Sequence, residues 1–144
     1  MSGKENALLT VKTKETDGVH ILCVNGECDM STAFILKDAL HSLIFPSAEL
    51  PTKLVVDLRG LSYLDSSAFW VLAAVNRKIT ETGGELDLVV GTGQPILQAV
   101  KLLKMDRIMS VYSTIEEALC HLSIVDKKKN SAKNKPARRG ARVR

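Results

Sequence analysis

The chain has 144 residues, 45% of them hydrophobic but only 4% aromatic, which fits a single domain whose core is built from Leu, Val, Ile and Ala. No apolar run approaches the roughly 20 residues that cross a bilayer. The opening MSGKENALLTVKTK lacks the apolar stretch of a signal peptide, so the sequence reads as cytoplasmic, without membrane insertion. The net charge of +4 is unevenly placed: residues 127–144 hold nine Lys or Arg and no acid, against 11 basic and 16 acidic residues before them.

Two short runs, residues 8–13 and 20–25, flank Asp17-Gly18, a hairpin turn signal, and predict paired antiparallel strands. Ser31 or Thr32 then caps a helix to about Leu43, with Phe34, Ile35, Ala39, Leu40 and Leu43 as its apolar content. Pro46 and Pro51 punctuate a loop, and KLVVDL (residues 53–58) reads as a buried strand. A second helix spans about residues 67–82 and stops at Gly83-Gly84. ELDLVV (85–90) is the next strand, and Pro95 opens a helix to about Lys104. Residues 108–112 form a short strand. Ser113 or Thr114 caps a last helix with Glu116 and Glu117 in its first turn, where the helix dipole favours acids. The order β-β-α-β-α-β-α-β-α predicts a single α/β domain over residues 1–126, its mostly parallel, mixed sheet covered by helices. The basic segment 127–144 is predicted to be a disordered tail, because its charges repel and it has little apolar content.

LSYLDSSAFWVL (61–72) raises a question of orientation, because an acid and two hydroxyls interrupt an apolar run. At about 100° per residue, Ala68, Val71, Leu72, Val75 and Ile79 share one stripe, which faces the sheet. Ser66, Trp70, Ala73 and Arg77 fall on the opposite side, so Trp70 points outward one turn beyond Ser66. The start of a helix has unpaired N–H groups and a partial positive charge. A hydroxyl there has two uses: Ser66 caps the helix, a role open to Asp65 as well, or it accepts a phosphate beside donors that already point outward.

From about Leu8 to Leu122 the chain resembles the STAS family of anti-sigma factor antagonists. VVDLRGLSYLDSSAFW matches a family pattern of a strand ending in Asp, a short loop, then D-S-S/T-G-L-G opening a helix, through Asp57, Asp65, Ser66 and Ser67. GECDMSTAFIL is similar to the family's G-E-L-D-x-x-T/S-A segment through Gly26, Glu27, Asp29, Thr32 and Ala33. The resemblance implies a STAS-like fold and regulation by partner switching. Ser66 is then phosphorylated by an anti-sigma factor with serine kinase activity, which binds the unphosphorylated form, and a serine phosphatase restores the hydroxyl. Asp29, Asp57, Asp65 and Ser67 would shape the contact surface with Phe69, Trp70, Ala73 and Arg77. The sequence departs from the pattern where Ala68-Phe69-Trp70 replaces Gly-Leu-Gly, and a partly exposed Trp is a common interface anchor. The alternative is a STAS scaffold module in a sensory or transporter-linked complex, in which Ser66 only caps.

Other chemistry finds little support, and no enzyme is expected. Ser66 lacks a G-x-S-x-G context and a relation to His20, His41 or His121, the last expected as a surface or edge residue. Gly91-Thr92-Gly93 lacks the rest of a phosphate-binding loop and reads as a turn. Met105 and Met109 read as packing. Cys23, Cys28 and Cys120 are odd in number and widely spaced, which argues against a disulfide framework; they read as small core hydrophobes. No metal or cofactor is expected. The tail's charge suits nucleic acid or an acidic partner through counterion release, although it has no aromatics for base stacking.

Overall fold

Asp17 (φ 49°) and Gly18 (φ 80°) both have positive φ, the conformation a two-residue hairpin turn of the primed type requires. They join β1 (Leu9–Thr16) to β2 (Val19–Cys28), which pair antiparallel from Thr16↔Val19 to Leu9↔Gly26. The computed structural model describes residues 8–44 and 52–123. The expected loop around Pro46 and Pro51 and the basic tail lie outside the described residues.

The remaining elements follow in the expected order: α1 (Ala33–Ile44), β3 (Lys53–Leu64), α2 (Ser66–Glu81), β4 (Glu85–Val89), α3 (Ile96–Leu102), a 3-10 turn at Met105–Arg107, β5 (Ser110–Tyr112) and α4 over residues 115–123. The sheet order is β1-β2-β3-β4-β5, with β2 to β5 parallel. Each parallel step moves one strand in the same direction. Right-handed crossovers therefore place α1, α2 and α3 together on one face.

That face holds the larger core. Leu22, Val24, Leu54, Val56, Leu86 and Leu88 of the sheet meet Leu36 and Leu40 of α1, Leu72 and Val75 of α2, and Val100 of α3. The other face is smaller, with Val19, Ile21, Val55 and Val89 packing beneath Ala118 and Leu122 of α4. Thr114 caps α4 by accepting from the Glu117 N–H at 3.1 Å, and the Glu117 carboxylate accepts from the Ser113 N–H at 3.0 Å.

Four details differ from the sequence expectation. β3 runs six residues beyond Leu58, because β2 also continues and keeps pairing with it (Asn25↔Gly60, Gly26↔Leu61, Glu27↔Tyr63, Cys28↔Leu64) across two register shifts. Gln94 of the Gly91-to-Pro95 turn secures this extension, its side-chain amide donating to the Leu58 and Leu61 carbonyls at 2.8 and 3.0 Å. α3 ends at Leu102, since Lys104 turns left-handed (φ 59°) and brings Met105 into the core. Phe34, expected as apolar helix content, is 60% exposed, and Leu36 fills the core in its place. Cys120, read as a core hydrophobe, is exposed on α4.

Candidate functional site

α2 starts where β3 leaves the sheet. Leu64 is buried, and Asp65 follows in extended conformation (φ −131°, ψ −167°), its Oδ1 accepting from the Ser67 N–H at 2.9 Å. Asp65 is therefore the cap, and Ser66, the first helical residue, is relieved of that role. Ser66 is exposed, and among the described residues its hydroxyl has no hydrogen-bond partner. The first turn of α2 itself carries no acid; the charge at the helix start is that of Asp65, whose carbonyl also accepts from the Ala68 and Phe69 N–H groups at 3.1 and 3.4 Å. Ala68, Leu72, Val75 and Ile79 bury the opposite stripe.

The neighbouring loop is fixed by Asp29. Its Oδ1 accepts from the N–H groups of Ser31 (2.9 Å) and Thr32 (3.1 Å) and from the Ser31 hydroxyl (2.8 Å). Thr32 Oγ1 accepts from the Asp29 N–H and donates to the Glu27 carbonyl, both at 2.9 Å. Among these bonds the Ser31 hydroxyl contributes most to holding the Asp29 carboxyl below its ordinary pKa. The pairing Cys28↔Leu64 sets this loop beside the start of α2, at one end of the parallel strands. The Cys28 thiol registers both acids: burial, then the charges of Asp65 and Asp29, push its pKa up to about 11. The two segments singled out in the sequence, GECDMSTAF and LDSSAFW, thus form one surface.

Met30, Phe34, Tyr63 and Trp70 project from these segments, Trp70 with 67% of its surface exposed. Phe69 is half-buried against the larger core and meets the indole edge-on, with ring centroids 5.1 Å apart. Of the three residues that depart from Gly-Leu-Gly, Ala68 is buried, Phe69 anchors, and Trp70 alone is fully presented. Ser67 and Ala73 are half-buried. Arg77 is exposed further along α2, 3.5 Å from Glu81, a solvent-screened pair of little energetic weight.

Asp57 is not brought to this surface. The longer β3 places it mid-strand, eight residues before Asp65, with its side chain turned away from α2. Cys23 Sγ lies 3.9 Å from Oδ2, and Arg59 grips the carboxylate with Nε to Oδ1 and Nη2 to Oδ2, both at 2.9 Å. Burial alone would raise the Asp57 pKa. The Arg59 bonds and charge outweigh it and leave the pKa below the ordinary 3.8. A depressed carboxylate contributes stability above its unfolded pKa and loses it as pH falls through the folded value. Asp57→Asn should therefore cost about 1–2 kcal/mol at neutral pH, shrinking as the pH drops below 3.8. Urea unfolding of both proteins across the acid range would show this convergence; a constant difference would contradict it.

A second cluster escaped the sequence reading. Glu85 and Asp87 are two apart on β4 and face α4, where His121 Nδ1 lies 2.9 Å from Asp87 Oδ2 and 3.7 Å from Glu85 Oε2. Asp87 is wholly buried, and burial, then the nearby Glu85 carboxylate, push its pKa up to about 9. His121, expected at the surface or an edge, is 27% exposed and packs against the Tyr112 ring. The alternation in ELDLV signalled that the two acids share a face, but nothing local linked them to a histidine 34 residues later. Among the described residues this trio is the group with donor atoms near enough to hold a metal ion.

An antiparallel hairpin followed by three parallel β-α-β steps, with an exposed serine at the tip of the second crossover helix, defines a small α/β domain. Residues 10–118 match the STAS domain model, and the chain belongs to the STAS domain family. It is 32% identical over 112 residues to the anti-sigma-F factor antagonist RsfB of Mycobacterium tuberculosis, covering 77% of this chain and 87% of that protein. An anti-sigma F factor antagonist of Paenibacillus polymyxa is 25% identical over 117 residues (81% and 97% of the two chains). A crystal structure of an anti-sigma factor antagonist from Mycobacterium paratuberculosis superimposes with a TM-score of 0.70 at 29% identity, over 80% of this chain and 94% of that one. Among the described residues no helix is long and apolar enough to cross a membrane.

Proposed function

We propose that this protein is an anti-sigma factor antagonist that works by partner switching, with Ser66 as the phosphorylated residue. The observation that carries this reading is the division of labour at the start of α2: Asp65 satisfies the helix end, and the exposed Ser66 hydroxyl is left unengaged. Membership of the family and relatives named as anti-sigma factor antagonists support the same reading.

In the unphosphorylated state, Ser66, the Asp29 loop and the exposed Phe34 and Trp70 form the surface that receives an anti-sigma factor with serine kinase activity. Phosphorylation adds about −1.5 to −2 charges and three acceptor oxygens at that surface. The helix N-terminus accommodates the phosphate, but Asp65 and Asp29 already make the neighbourhood acidic, so docking weakens by repulsion and bulk. A serine phosphatase resets the surface. The basic segment 127–144 acts separately, as an electrostatic arm for nucleic acid or an acidic partner.

The test is an affinity measurement against the anti-sigma factor of the same cell. Ser66→Asp should weaken binding about tenfold or more, roughly 1.4 kcal/mol, while Ser66→Ala binds as the native protein does. Incubation with that partner and ATP should add one phosphoryl group to the native chain and none to Ser66→Ala. Equal affinities for both variants, together with no mass gain, would leave Ser66 as a bystander.

A further inference from the structure

We propose that Glu85, Asp87 and His121 form a binding site for a divalent transition-metal ion of the zinc type, which clasps α4 to β4. The site lies on the smaller core face, beneath α4 rather than on the face covered by α1, α2 and α3.

Three observations converge on it. First, the donor atoms already have the right spacing. A tetrahedral zinc ion at about 2.0–2.1 Å from its ligands requires ligand atoms roughly 3.3 Å apart. His121 Nδ1 is 2.9 Å from Asp87 Oδ2 and 3.7 Å from Glu85 Oε2, and the three donor atoms lie within 4.8 Å of one another. Side-chain shifts of under an ångström or so bring all three onto one ion. Second, Asp87 Oδ1 is fully buried with no hydrogen-bond donor. An unpaired buried carboxylate oxygen is costly, and unsatisfied groups of this kind call for a partner. The neighbour within reach is a second carboxyl, Glu85, so a divalent cation between the two relieves acids that the fold holds side by side. Third, the scaffold is rigid on both sides. Leu86 and Leu88 alternate with the two acids and are buried on the opposite face of β4, while Ala118 and Leu122 hold α4 against the sheet.

The donor set selects the ion. One imidazole with two carboxylates suits zinc, cobalt or nickel, whereas calcium and magnesium call for six or more oxygen ligands. Glu85 and His121 are each 27% exposed, so an ion has access from solvent and a water can complete the coordination. A metal bound here ties α4 to the centre of β4, and binding to the folded state alone raises the melting temperature.

The experiment titrates the full-length chain with zinc alone, by calorimetry and by thermal melting. One zinc per chain and a higher Tm are expected. Glu85→Gln, Asp87→Asn and His121→Gln should each weaken binding at least about tenfold and abolish the Tm rise. Asp87→Asn also controls for folding, because it removes a buried acid facing another acid; its metal-free Tm should equal or exceed that of the native chain. Cobalt substitution distinguishes the cysteines, since Cys120 is exposed beside His121. A spectrum without thiolate charge-transfer bands supports the trio, whereas thiolate bands overturn it. The proposal also fails if the native chain shows no saturable zinc binding, or if all three variants bind as it does.

Discussion

Gly26→Ala should destabilise the domain by about 2–4 kcal/mol, combining backbone strain of about 1–3 kcal/mol with a lost hydrogen bond of about 1. Gly26 sits at φ +108°, a conformation that side-chain-bearing residues rarely adopt. A Cβ there would lie 1.9 Å from the Leu8 carbonyl oxygen, 2.9 Å from its carbon and 3.2 Å from Leu9 Cα. These are backbone atoms, so no rotamer change makes room and β1 itself has to move. The Leu8 carbonyl also accepts the Glu27 N–H at 2.7 Å, and that bond is lost when the strand shifts. Urea unfolding should show a lower midpoint at an unchanged m-value. Because Gly26 leads into the loop fixed by Asp29, partner affinity should fall as well. A loss below about 0.5 kcal/mol, the range of ordinary surface substitutions, would mean that the strand edge yields freely.

Trp70→Ala should have the opposite profile. With 67% of its surface exposed, the indole contributes little to the core, so stability should change by no more than about 0.5 kcal/mol. Binding to the anti-sigma factor should weaken by about 2 kcal/mol or more, roughly 30-fold, as expected when an aromatic anchor is removed from the centre of an interface. The Phe69 ring braces the indole edge-on and restricts how it can be presented, which reduces the ordering cost on docking. Trp70 is the one tryptophan of the chain, so its fluorescence is a direct reporter. Emission of the native protein should shift to the blue as the partner excludes water. An unchanged spectrum on binding, with native affinity in Trp70→Ala, would place the contact elsewhere on the domain.

Gly26 and Trp70 divide two functions between the two segments that form this surface. Gly26 supports the geometry of the surface without being presented, and Trp70 is presented without supporting the geometry. Asp57 belongs to neither group, despite lying in the same sequence block as Ser66. Its carboxylate is committed to Arg59 on the far face of the sheet, so its effect should appear in acid stability and leave docking unchanged.

Much of this was readable along the chain, because the signals concerned are local. Period and punctuation determined the order of strands and helices, the Asp17-Gly18 turn, and the outward direction of Ser66 and Trp70, each a matter of backbone preference or of angle around one helix. Tertiary structure alone decided that β3 continues to Leu64, that Asp65 takes the cap and releases Ser66, and that Cys28 pairs with Leu64 to set the Asp29 loop beside the tip of α2. It also brought His121 to Glu85 and Asp87. Apart from the cap, where two neighbouring side chains were both eligible, these are contacts between residues remote in sequence, chosen by strand register and by which face each helix covers. A chain encodes such choices in the packing of its whole core, and no short segment carries them.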